Sequence, residues 1–225
     1  MFKVSGRTIY VYDEISEFWG VGSSDIIEAL ESLGNDEPIN LRINSPGGDV
    51  VEGLAIFNAI RRHQGTVNTF NDSLAASCGS YIFAAGDRRV VAQNSMTMVH
   101  DPWGVSIGNA EEHRKTADTY DKFAESLIRD YADASGMESD EIRSVMAAET
   151  WYTAEECVEA GFATEIGDSV EAEPVEAKSR VCVGIAAKAR ELTAESPLPR
   201  SRGGVTALEI QARKYRAQTC RQRSA

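Results

Sequence analysis

Long apolar runs are missing from this chain. No stretch approaches the roughly 18 apolar residues that a membrane-spanning helix needs, so none is expected. Behind Met1-Phe-Lys-Val-Ser-Gly-Arg7 no apolar core of a signal peptide follows, and a cytoplasmic protein is expected. Cysteine is sparse: Cys78, Cys157, Cys182 and Cys220 form no C-x-x-C pair, which argues against a zinc ribbon or a redox motif and for reduced thiols. Positive charge is short as well, with no lysine between residues 4 and 114. Residues 1–167 hold 12 basic against 28 acidic side chains, a net of −16, while residues 168–225 hold 11 against 7, a net of +4. An acidic main domain is a poor partner for nucleic acid. The basic end, Arg213-Lys-Tyr-Arg216 through Arg221-Gln-Arg223, reads as a solvated tail. No metal or organic cofactor is implied.

Short β-forming runs alternate with helical periodicity. Thr8-Ile-Tyr-Val-Tyr12, Ile39-Asn-Leu-Arg-Ile43, Thr66-Val-Asn-Thr-Phe70, Arg89-Val-Val-Ala92 and Met96-Thr-Met-Val99 read as strands. Between them, Ser23-Ser-Asp25 opens a helix that Gly34 closes, Val50, Leu54, Phe57 and Ile60 mark a helix closed by Gly65, and Ala75-Ala-Ser-Cys-Gly79 turns into a buried helix stopped at Gly86. Asn109 with Glu112 caps a long helix, striped by Ala117, Tyr120, Phe123, Ala124, Leu127, Ile128 and Tyr131 and ended by Gly136. Ser139 caps another, and Thr153-Ala-Glu-Glu156 is a capping box for a short helix ended by Gly161. Strand–helix alternation indicates an α/β fold with parallel pairing. The pattern dissolves after Gly167. That predicts a domain of residues 1–167 and a linker-like tail of 168–225, with a possible basic helix from Ala207 to about Gln218.

A serine hydroxyl needs a base to become a nucleophile, and the base is best held by an acid. Only three histidines compete for that role. His63 sits at a charged helix end and His113 on a polar helix face, so both read as surface residues. His100 ends an apolar strand beside Asp101-Pro102, where a scaffold presents functional groups. Ser77 lies in a small-residue turn at a helix start, whose N–H groups could hold an oxyanion; taken alone, this weak pattern reads first as a plain helix-capping serine. Ser80, inside the helix, and Ser73, in the preceding loop, are poorer candidates. Asn44-Ser-Pro-Gly-Gly48 leaves backbone donors exposed after a strand, or is an ordinary turn.

Together and in this order, Asn44-Ser-Pro-Gly-Gly48, Ala75-Ala-Ser77-Cys-Gly79 and Met98-Val-His100-Asp-Pro102 resemble the Clp peptidase family, over roughly residues 8–167. The resemblance implies a crotonase-like spiral of ββα units with a helical handle at about 110–135. It implies Ser77 as nucleophile, His100 as base, and the N–H groups of Gly48 and Cys78 as oxyanion hole. The family's acid, usually an aspartate two residues before an aromatic, falls on Glu149 within Ala148-Glu-Thr-Trp-Tyr-Thr-Ala154, with Asp101 ranked second. It further implies a homo-oligomeric ring, a heptamer or a stacked pair, acting on protein or peptide. The early first strand and the segment from Glu149 to Glu156 look like phage head-maturation proteases. That implies capsid or scaffold protein as substrate and a place in the host cytoplasm or an assembling prohead.

Other readings are a Clp subunit working with an ATP-driven unfoldase and an inactive assembly or scaffolding protein on the same fold. A crotonase would want a basic cluster for its nucleotide phosphates, and a Ser/Lys membrane peptidase a well-placed lysine and an anchor; neither pattern is present.

Overall fold

The computed structural model describes residues 1–167; the expected linker and basic helix of 168–225 lie outside the described residues. Four parallel strands form the centre: β2 (Thr8–Val11), β3 (Ile39–Ser45), β4 (Val67–Ala76) and β6 (Met96–Val99). Parallel neighbours need a crossover, and helices α1 (Ser23–Leu33) and α2 (Val50–Arg62) supply those from β2 to β3 and from β3 to β4. Helix α3 (Cys78–Ala84) then leads to β5 (Arg88–Val91). One face of these strands is apolar and packs against the helices: Ile9, Leu41 and Ile43 from the strands and Ile56 and Ile82 from α2 and α3 are fully buried in one core.

Strand β4 forks the sheet. Its first half, Asn68–Asn71, pairs with β5, and its last three residues, Leu74–Ala76, pair with β6. The β3–β4 register shifts between Ile43 and Ser45, as a bulge does when it bends a strand. This bend delivers the residue after Ala76 to the end of β6.

The structure lengthens or moves several expected elements. Strand β4 runs through Asn71-Asp-Ser73, where polar residues suggested a loop. Their polarity is satisfied in place: Asn71 Nδ2 donates to Met96 O at 2.9 Å, and Asp72 pairs with Arg42. Helix α2 stops at Arg62 because His63 is already extended, at φ −61° and ψ 132°, ahead of Gly65. His63 is also less of a surface residue than expected, for its Nε2 is buried. Strands β1 (Phe2–Ser5), β7 (Thr150–Tyr152) and β8 (Glu165–Ile166) were not legible, being short additions at sheet margins.

The long helix α4 (Ala110–Ser135) begins at its Asn109/Glu112 capping box and ends on Gly136 at φ 79°. Only its C-terminal half enters the core, through Leu127, Ile128 and Tyr131; Ala117 is exposed. Helices α5 (Ser139–Ala147), capped by Glu138 rather than Ser139, and α6 (Ala154–Glu159) complete the described chain.

Candidate active site

Parallel strands share one carboxyl edge, and in open α/β sheets that edge is where ligands bind. Here β3, β4 and β6 end there on the loop Pro46–Asp49, on Ser77 and on His100.

Ser77 adopts φ 54° and ψ −126°, a region costly for any residue with a Cβ. Hydrogen bonds on both sides hold it there. Its N–H donates to Met98 O at 3.0 Å, and its carbonyl accepts from Ser80 N at 3.0 Å and Tyr81 N at 3.1 Å. Ser80 Oγ lies 2.7 Å from both Ser77 O and Met98 O, and 2.8 Å from the Tyr131 hydroxyl. Ser80 thus ties the Ser77 turn to the strand that carries His100. Sequence reasoning passed over Ser80 as a helix-interior residue; no local pattern signals a partner 51 residues away.

Ser77 Oγ and His100 Nε2 are 2.8 Å apart, a full hydrogen bond between residues 23 apart in the chain. On the other side of the ring, His100 Nδ1 stands 4.0 Å from Glu149 Oε2. That is an electrostatic contact rather than a hydrogen bond. Glu149 is the second described non-glycine residue with positive φ, at 51°, so its backbone too is held in an uncommon conformation. Its side chain is 28% exposed against 13% for His100. Asp101 is exposed. The structure therefore brings Ser77, His100 and Glu149 together.

Gly47 and Gly48 both have positive φ, 90° and 150°. A Cβ on Gly47 would fall 2.6 Å from Ser77 Cβ, and one on Gly48 would fall 2.1 Å from Ile15 O. Only glycine allows this loop to lie against the serine turn on one side and the Ile15 segment on the other. Ile15 grips the loop in register, its N–H donating to Gly47 O and its carbonyl accepting from Asp49 N, both at 2.8 Å. Cys78 opens α3, where the first N–H groups have no partner within the helix. Its thiol approaches Gly48 O at 3.4 Å and Asp49 O at 3.5 Å. Burial pushes that thiol from 9.0 up to about 11, so it stays neutral and does not rival Ser77 as a nucleophile.

The other serine–histidine contact among the described residues, Ser106 Oγ to His113 Nδ1 at 2.7 Å, is exposed to water. Among the described residues no cluster of three His, Cys, Asp or Glu could hold a metal, and no helix is long and apolar enough to cross a membrane.

Residues 3–170 match the Clp protease family. The chain belongs to that family. Among solved structures this Clp protease chain is similar to an Asn-to-Asp mutant of ClpP1 from Listeria monocytogenes. The two share 27% identity at a TM-score of 0.66, over 73% of this chain and 93% of that one. The expected α/β architecture is therefore a ClpP-like fold, and membership places the chain among serine peptidases.

Proposed function

We propose that this Clp protease family member is a serine endopeptidase acting through an acyl-enzyme, with Ser77, His100 and Glu149 as its triad. The 2.8 Å contact between Ser77 Oγ and His100 Nε2 carries this reading. Ser77 Oγ attacks the peptide carbonyl carbon as His100 Nε2 takes the hydroxyl proton. The oxyanion is held by the N–H groups of Gly48 and Cys78. Collapse breaks the C–N bond, and His100 gives its proton to the departing amine. Water then attacks the ester; His100 takes a proton from that water and returns it to Ser77. Glu149 stabilises the imidazolium, and a movement of about 1 Å from 4.0 Å would convert the contact into a charge-assisted hydrogen bond. A serine-directed fluorophosphonate is expected to label Ser77, and Ser77→Ala to abolish labelling; labelling that persists in the variant overturns the assignment.

The substrate in this reading is capsid or scaffold protein in an assembling phage head, supported by the segment from Glu149 to Glu156. The peptidase unit is residues 1–167, with 168–225 an appended tail, working as a homo-oligomeric ring in the host cytoplasm or prohead. A second reading, a Clp subunit fed by an ATP-driven unfoldase, is favoured by the similarity to the Listeria ClpP1 over nearly all of that chain. Casein cleavage separates the two. Independence of unfoldase and ATP supports the first, and dependence supports the second. An inactive scaffolding role is disfavoured by the intact Ser77–His100 hydrogen bond.

A further inference from the structure

Nine large apolar side chains are exposed among the described residues, and six of them, Phe18, Trp19, Val51, Trp103, Val105 and Ile107, follow the carboxyl ends of β2, β3 or β6. Phe18, 84% exposed, and Trp19, 55% exposed, occupy the tip of the loop after β2. Water is a poor place for two large rings, and exposed apolar patches mark binding surfaces.

The loop is built to keep them there. Val21 N–H donates to Glu14 O at 2.9 Å, Ser16 N–H to Val21 O at 3.0 Å and Gly20 N–H to Ser16 O at 3.2 Å. Ser16 Oγ accepts from the N–H groups of Phe18 and Trp19 at 3.4 and 3.3 Å. A Cβ on Gly20 would fall 1.8 Å from Glu14 O, so the turn closes only with glycine. At the root of the same loop, Ile15 holds Gly47 and Asp49 on either side of Gly48. The aromatic tip and the proposed oxyanion loop are thus one hydrogen-bonded unit.

We infer that Phe18 and Trp19 form an apolar subsite that selects a large apolar side chain of the protein substrate, about three residues from the scissile bond. The inference rests on the peptidase reading above. The offset follows from the sheet. Strand β2 lies two strands from β4, so at about 4.8 Å per strand its carboxyl end, from which the loop rises, stands about 10 Å from the end of β4. An extended peptide covers that distance in about three residues at about 3.3 Å each. Because the loop lies at the same sheet edge as Ser77 and His100, a substrate crossing the strand ends from β6 towards β2 passes over it.

The test uses the full chain and a library of proteome-derived peptides, with cut sites read by mass spectrometry. Wild-type cut sites should be enriched in Phe, Leu, Ile or Met at the third residue on one side of the bond. For a peptide so identified, kcat/KM should exceed that of its serine analogue by about tenfold. In the Phe18→Ala/Trp19→Ala double variant the enrichment should vanish and the ratio fall to about one. Enrichment that survives in the double variant overturns the inference. So does a changed native mass of the double variant with unchanged selectivity, which would assign the pair to a contact between copies of the chain. Cleavage that survives Ser77→Ala overturns the peptidase reading itself, and this inference with it.

Discussion

Glu149 combines a positive φ of 51° with a carboxylate 4.0 Å from His100 Nδ1. Replacing the charge while keeping the shape isolates its role. Glu149→Gln should lower kcat by about 10²–10⁴-fold with a smaller effect on KM, because the imidazolium loses its counter-charge in the transition state. Steady-state kinetics on a peptide substrate check this, and an unchanged kcat would move the role to another carboxylate. Cys78 offers a second residue-level outcome. Burial raises its thiol, and that of Cys157, from 9.0 to about 11. Iodoacetamide at pH 8 should therefore modify neither in the native protein, as peptide mapping can show. An acid whose folded pKa is raised contributes stability below its unfolded value. The two thiols accordingly favour folding below about pH 9, and that contribution declines as pH climbs towards about 11. Ser77, His100 and Gly48 stood out as candidates because three short motifs occur together and in order. Glu149 was readable only through family resemblance, and the Ser80–Tyr131 contact through neither, since hydrogen bonds between distant segments leave no local periodicity.

The central strands are joined by more than their ladder. Arg42 on β3 pairs with Asp72 on β4, with Nε to Oδ2 at 2.7 Å, and the Tyr12 hydroxyl just beyond β2 also binds Asp72. Their side chains are 7% and 13% exposed for Arg42 and Asp72, so removing one partner strands a buried charge. Asp72→Ala should cost about 3–5 kcal/mol, measurable by urea denaturation. A loss under 1 kcal/mol, the range of an exposed pair, would show that water reaches the site. This network also explains why β4 outran its expected end. Asn71 and Asp72 are loop-forming by propensity, but neighbouring strands satisfy them where they stand, and tertiary context overrides the local preference. Helix boundaries with a cap motif, such as Asn109/Glu112 and Thr153/Glu156, were legible to the residue because the cap is itself local.

The first half of the 26-residue helix α4 stays outside the core, with Ala117 exposed and Tyr120 and Phe123 only half-buried. Exposed Trp103, Val105 and Ile107 stand just ahead of it. Both features fit the proposed ring, and light scattering of the purified chain should give a mass near seven or fourteen copies of 24.5 kDa. A monomer in dilute buffer would remove the ring from the proposal. The amino-acid sequence by itself pointed to the α/β class, to the Asn109 and Thr153 helix caps and to Ser77 and His100 as candidates, through patterns that are local in the chain. Tertiary structure alone decided that β4 forks, that Gly47 backs directly onto Ser77, and that Ser80 and Tyr131 brace the serine turn. It also decided that Phe18 and Trp19 share a sheet edge with the catalytic candidates. These are contacts between segments tens of residues apart. Their geometry is set by which strands pair and where each ends, quantities that no single stretch of sequence contains.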